Sequence, residues 1–73
     1  MKTKEQVQNE IGDSGTVFTV DEFDDAVSEG GITSYDGFGY FHDGEKETDF
    51  SVFSPYTKYE DIKDMPYIIW YNK

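Results

Sequence analysis

The sequence predicts an α+β fold: one small domain over residues 1–73, two N-terminal helices followed by a three-stranded antiparallel sheet, with a short helix before the last strand. Three observations carry this reading. The patterns Thr3-x-x-Gln6 and Thr19-x-x-Glu22 each open a short amphipathic run. Beyond Gly31 the apolar period drops from near 3.6 to near 2. Tyr67-Ile68-Ile69-Trp70-Tyr71 is an unbroken β-branched and aromatic run, the composition of a strand covered on both faces.

The first helix is expected over about residues 4–11. Thr3 and Gln6 form a capping box, in which hydroxyl and amide side chains satisfy free backbone N–H groups. Val7 and Ile11 then share a face, Gly12 stops the helix, and Asp13-Ser14-Gly15 reads as loop. Residues 16–18 leave room for a short extra strand. The second helix is expected over residues 20–29. Thr19 and Glu22 form a full capping box, and Phe18 and Phe23 occupy the two positions of a hydrophobic staple. Val20, Phe23 and Val27 make the inner stripe, with Ala26 at its edge. Gly30-Gly31 ends it.

The first two strands alternate: Phe38, Tyr40 and His42, then Thr48, Phe50 and Val52, with Asp43-Gly44 as the turn signal. A two-residue turn would set Tyr40 against Glu47 and Phe38 against Asp49. A three-residue loop, 44–46, pairs His42 with Thr48, Tyr40 with Phe50 and Phe38 with Val52. Burial of one apolar face selects the second register. Phe41, Asp43, Glu47, Asp49, Ser51 and Phe53 then take the opposite face. Ser54-Pro55 breaks the second strand. Thr57-x-x-Glu60 is a third capping pattern, for one or two helical turns over residues 58–63 that stop before Pro66. The helices are expected on one side of the sheet; the pattern leaves the strand order open.

Composition bounds what such a domain can do. The 73 residues carry 16 Asp and Glu against 6 Lys, with no Arg, one His and no Cys, for a net charge of −10. Direct nucleic-acid binding is excluded, because phosphate contacts need a basic stripe. Disulfides and thiolate zinc sites are excluded by the absence of Cys. No apolar run approaches the roughly 20 residues that span a bilayer. Residues 1–6 have the charge of a signal peptide without an apolar segment behind it, so a cytoplasmic protein is expected. Disordered acidic chains are poor in aromatics. Here Phe, Tyr and Trp make up 18% of the chain, enough for a small aromatic core.

The acidity is segregated. Residues 1–9 and 50–73 are near neutral, whereas residues 10–49 hold twelve acids and one lysine. On the second helix Asp21, Glu22, Asp24, Asp25 and Glu29 project away from the apolar stripe. Several are like-charge pairs at i,i+3 or i,i+4, each costing roughly 0.2–0.5 kcal/mol. The helix N-terminus offsets that cost for Asp21 and Glu22, but not for Asp25 and Glu29. The hairpin adds Asp43, Glu47 and Asp49. Spacings of about 6 Å between helix neighbours resemble the interval between backbone phosphates. The expected partner is therefore a basic, nucleic-acid-binding protein, with these eight acids in place of phosphates and Phe41 and Phe53 as apolar anchors. Self-association would be a second way to hide Phe41 and Phe53. A non-enzymatic adaptor binding through the aromatic sheet face is the alternative, and a merely solubilising acidic surface is the simplest one.

Catalysis, cofactors and metals are not expected. His42, the lone imidazole, lies on the apolar hairpin face and reads as a packed strand residue. A calcium loop starting at Asp36 fails, because Phe38 and Tyr40 fall where ligands are needed. Gly37-x-Gly39 lacks the third glycine and the following helix of a dinucleotide site; its glycines read as a turn or a close backbone approach.

The stretch Gly30-Gly31-Ile32-Thr33-Ser34-Tyr35-Asp36-Gly37-Phe38-Gly39-Tyr40, with Tyr67-Ile68-Ile69-Trp70-Tyr71, resembles small uncharacterised proteins of bacteriophages and prophages. In charge, size and aromatic content the chain is similar to small acidic phage inhibitors, the DNA mimics that act on restriction enzymes, CRISPR nucleases or uracil-DNA glycosylase. That resemblance implies an inhibitor of a host-defence nuclease at work in the host cytoplasm.

Overall fold

The computed structural model describes residues 1–53 and 59–73, with side chains for all of these except residues 49–53 and 61. The order is helix α1 (Lys4–Ile11), a 3-10 turn (Gly12–Ser14), strand β1 (Gly15–Phe18), helix α2 (Val20–Ser28), strands β2 (Gly37–His42) and β3 (Glu47–Phe53), helix α3 (Tyr59–Ile62) and strand β4 (Tyr67–Asn72). The fold is α+β as expected. The sheet has four strands rather than three, in the order β1-β4-β2-β3, with every neighbouring pair antiparallel. The additional strand is β1. The expected third capping box at Thr57 and the break at Ser54-Pro55 fall outside the described residues.

Local signals act as their chemistry dictates. Both Thr3 and Thr19 accept a backbone N–H three residues on, and Gln6 and Glu22 reach back to the cap amides. Phe18 and Phe23 meet edge to face at 5.7 Å, closing the staple. At the far end of α2, Gly31 N–H bonds the Ala26 carbonyl and Gly30 N–H bonds that of Val27. This Schellman pattern needs a left-handed residue, and Gly30 supplies it at φ 75°.

β4 organises the rest. It pairs with β1 on one edge and with β2 on the other. Alternate residues of a strand point to opposite faces, and both faces of β4 are apolar. Ile68 and Trp70 pack with Phe41, Val20 and Phe23 of α2 and Ile62 of α3. Tyr67 and Ile69 pack with Val17 and with Val7 of α1. The helices therefore cover both faces of the sheet, which corrects the one-sided arrangement expected from sequence. A strand with apolar groups on each side needs cover on each side. The connection from β1 through α2 to β2 supplies one layer, and α1 supplies the other.

The hairpin register also differs from the expected one. His42 pairs with Glu47 and Phe41 with Thr48 across a four-residue loop, and the register then shifts so that Tyr40 faces Val52 and Gly39 faces Phe53. Asp43 sets the loop: one carboxylate oxygen accepts the amides of both Glu45 and Lys46 at 2.9 Å. The consequence is that Phe41, expected on the open face, is buried in the core. Phe38, expected inside, is 40% exposed. Trp70 explains the choice. It lies opposite Gly39, and a Cβ on Gly37 would meet its Nε1 at 2.8 Å and the Tyr71 carbonyl closer still. Gly37 makes room for the indole, and Gly39 and Phe41 share the α2 face with it by alternation. Among the described residues, Trp70 Nε1 is the one buried side-chain nitrogen or oxygen without a hydrogen-bond partner.

The outer edge of β1 is closed by a side chain. Gln8 of α1 accepts the Val17 amide at 2.9 Å through its carbonyl and donates to the Gly15 carbonyl at 3.0 Å through its amide. It thereby takes the place of a neighbouring strand.

Two substitutions test this arrangement by urea unfolding. Phe41→Ala should cost about 3–5 kcal/mol, the value for an emptied aromatic core position; an interface residue would leave stability unchanged. Gly37→Ala should cost about 1–3 kcal/mol or more, because the new Cβ would collide first with the Tyr71 carbonyl and then with the Trp70 indole.

Candidate functional site

The acids singled out in the sequence do not form one set. Four are built into local structure. Glu22 Oε1 accepts the Thr19 amide at 2.9 Å, and both its oxygens lie 3.0 Å from Lys4 Nζ. The Thr19 amide first, and the Lys4 ammonium after it, hold the Glu22 carboxyl below its ordinary value. Asp21 accepts the Tyr59 hydroxyl at 3.0 Å, which ties α3 to α2. That bond, with the charges of Asp21 and Asp24, raises the Tyr59 phenol. Asp43 is held down by the loop amides of Lys46 and Glu45. Glu47 accepts the Tyr71 hydroxyl at 2.6 Å.

Asp24, Asp25 and Glu29 are different. All three are exposed, and no described lysine or terminal amine lies within ion-pair distance of them. The described cations that do pair go elsewhere: Lys2 to Glu10 at 2.7 Å, Lys4 to Glu22, and the Met1 amine to Glu45 at 3.1 Å. α3, docked beside α2 on the same side of the sheet, carries exposed Glu60, and exposed Lys63 and Asp64 follow it in the next turn.

Of the hairpin acids, Glu47 lies elsewhere. Glu47 shares a face with His42, its cross-strand partner, and with Tyr71, which packs on the α1 side. The sheet therefore separates Glu47 from α2, so Glu47 does not share a surface with the helix acids as expected from sequence. The side chains of Asp49 and Phe53 lie outside the described residues. Phe41 is a core residue rather than an anchor.

A second feature appears on the α1 side. Phe38, Tyr40 and Tyr71 form a closed triangle of rings, with centroids 5.6, 5.7 and 5.8 Å apart. α1 packs on β1 and its neighbour β4, and on the β2 side of that face Phe38 is exposed. Burial first, and the bond to Glu47 after it, push the Tyr71 phenol up to about 12. Sequence reading missed this surface. The alternation of Phe38 and Tyr40 carries the signal, but alternation alone does not say which face is covered.

His42 is buried. Its Nδ1 accepts the Gly44 amide at 3.0 Å, and its ring lies 6.2 Å from that of Tyr67. The Lys2 amide bonds the Gly44 carbonyl at 2.6 Å, and the Tyr67 hydroxyl bonds the Lys2 carbonyl at 2.9 Å. The imidazole thus fixes the loop at Gly44, and the Gly44 carbonyl and the Tyr67 hydroxyl hold the N-terminal segment to it. Among the described residues no group of three or more His, Asp or Glu is placed to hold a metal ion, and no helix is long and apolar enough to cross a membrane.

Glu22 gives a pH prediction. Its folded pKa lies below the ordinary 4.5, so its contribution is complete above that value and is lost as pH falls through the folded value. Glu22→Gln keeps the cap acceptor and removes the charge. Denaturation midpoints should fall slightly at pH 7, by the equivalent of no more than about 0.5 kcal/mol of stability for an exposed pair. Their decline below pH 4.5 should be shallower than in the parent.

Comparison of the chain with protein-family profiles, curated proteins and solved structures returns no match.

Proposed function

We propose that this chain is a small acidic binding protein that inhibits or modulates a cationic, nucleic-acid-binding partner through the outer face of α2. The observation that carries the reading is the exposed set Asp24, Asp25 and Glu29, without a described counter-ion. Asp25 and Glu29 are an i,i+4 like-charge pair, which destabilises an isolated helix. A helix shaped by stability alone would place lysine at one of them. Presented to a protein that grips DNA or RNA, these charges stand in for phosphates and engage its Lys and Arg side chains. The resemblance to acidic phage inhibitors makes a host-defence nuclease in the cytoplasm the partner class for this reading.

A second reading is supported by the exposed ring of Phe38 and its neighbours Tyr40 and Tyr71. An adaptor of this kind would bind through the aromatic face rather than through charge.

Salt and charge reversal separate the two. Bait protein should capture a basic partner at low salt and release it at about 0.5 M, where screening lengths fall to a few ångströms. Asp24→Lys/Asp25→Lys/Glu29→Lys should abolish capture while leaving the fold intact or slightly more stable. Duplex DNA should compete. Capture that survives both high salt and the triple reversal overturns the charge-led reading and supports the adaptor.

A further inference from the structure

We infer that the face formed by Phe38, Tyr40 and Tyr71, rimmed by Glu47, is a docking site for an arginine side chain of a basic partner segment. The inference rests on the proposal that the partner is cationic, but it places a second contact on the side of the sheet opposite the acidic helix.

The three rings are braced against one another on adjacent strands. Phe38 on β2 pairs directly with Tyr71 on β4, and each ring touches both others. The platform is thus preorganised, and binding orders little that is not already ordered. Phe38 presents the most open ring of the three, at 40% exposure. An exposed aromatic face attracts a cation through its quadrupole, and guanidinium is the better match because it is planar and weakly hydrated.

Glu47 supplies the charge. One of its oxygens is occupied by the Tyr71 hydroxyl. Among the described residues the other has no partner, and no described cation pairs with the residue. A carboxylate fixed beside an open ring suits a guanidinium, which can stack and pair at once. An uncharged apolar partner would have to desolvate that carboxylate without compensation. A second copy of the chain cannot supply the group, because the sequence contains no arginine. The occupant is therefore an arginine from another protein.

The test is a two-dimensional NMR titration with two peptides of equal length and charge, one of Gly-Arg repeats and one of Gly-Lys repeats. The Gly-Arg peptide should shift the Phe38, Tyr40, Tyr71 and Glu47 signals and bind about two- to fivefold tighter than the Gly-Lys peptide. Phe38→Ala should remove that preference, Phe38→Tyr should retain it, and Glu47→Gln, which keeps an acceptor for Tyr71, should weaken Gly-Arg binding. Asp24→Asn/Asp25→Asn/Glu29→Gln should weaken both peptides alike and leave the arginine preference in place. Shifts confined to α2, or equal affinities that ignore Phe38→Ala, would overturn this inference and leave the acidic-helix proposal standing. Absence of any shift would overturn both.

Discussion

β4 must be dry on both faces and hydrogen-bonded on both edges, and the other elements are arranged to meet that demand. Four consecutive bulky residues, Tyr67 to Trp70, are buried and admit no solvated side. β1 and β2 satisfy the edges. Because both are antiparallel to β4, they run parallel to each other, and their connection must cross from one end of the sheet to the other. That crossover is α2, which brings Val20 and Phe23 over Ile68 and Trp70. α1 comes before β1 and serves the opposite face through Val7. For a chain this short, one such strand gives two small cores from a single backbone segment.

Trp70 then decides which way β2 faces. An indole buried beside a neighbouring strand needs space, and Gly37 provides it, with Gly39 directly across the ladder. Once those positions face Trp70, the pleat fixes the rest: Phe41 goes inward, while Phe38, Tyr40 and His42 go to the side that α1 only partly covers. His42 and Tyr67 fill the loop end, and Phe38 is left in the open. The exposed aromatic platform is thus a by-product of accommodating one tryptophan.

Much of the local structure was legible because it is written in contiguous residues. The capping boxes at Thr3 and Thr19, the Phe18–Phe23 staple and the glycine stop after α2 each depend on side chains within six positions of one another. The two-sided character of β4 was legible too. It conflicts with helices on one face, and it is the stronger statement, because five residues in a row carry it. What sequence could not provide was facing. Phe38, Tyr40 and His42 have the apolar weight of an inner face, and glycines look neutral until the residue across the ladder is known. The register shift between Tyr40 and Phe41 broke the simple alternation on which the pairing argument relied. The same misplacement joined Glu47 to the helix acids, although the sheet lies between them.

Gln8 has a consequence for how copies of this molecule can meet. By occupying the Gly15 carbonyl and the Val17 amide, it leaves β1 unable to accept another strand at those positions. Strand addition is thereby blocked at one of the two edges of the sheet. A structure with two open edges can add neighbours without limit and grow into a filament. With one edge closed, a strand-to-strand contact between two molecules consumes the single growth point of each, so assembly by that route terminates at a pair.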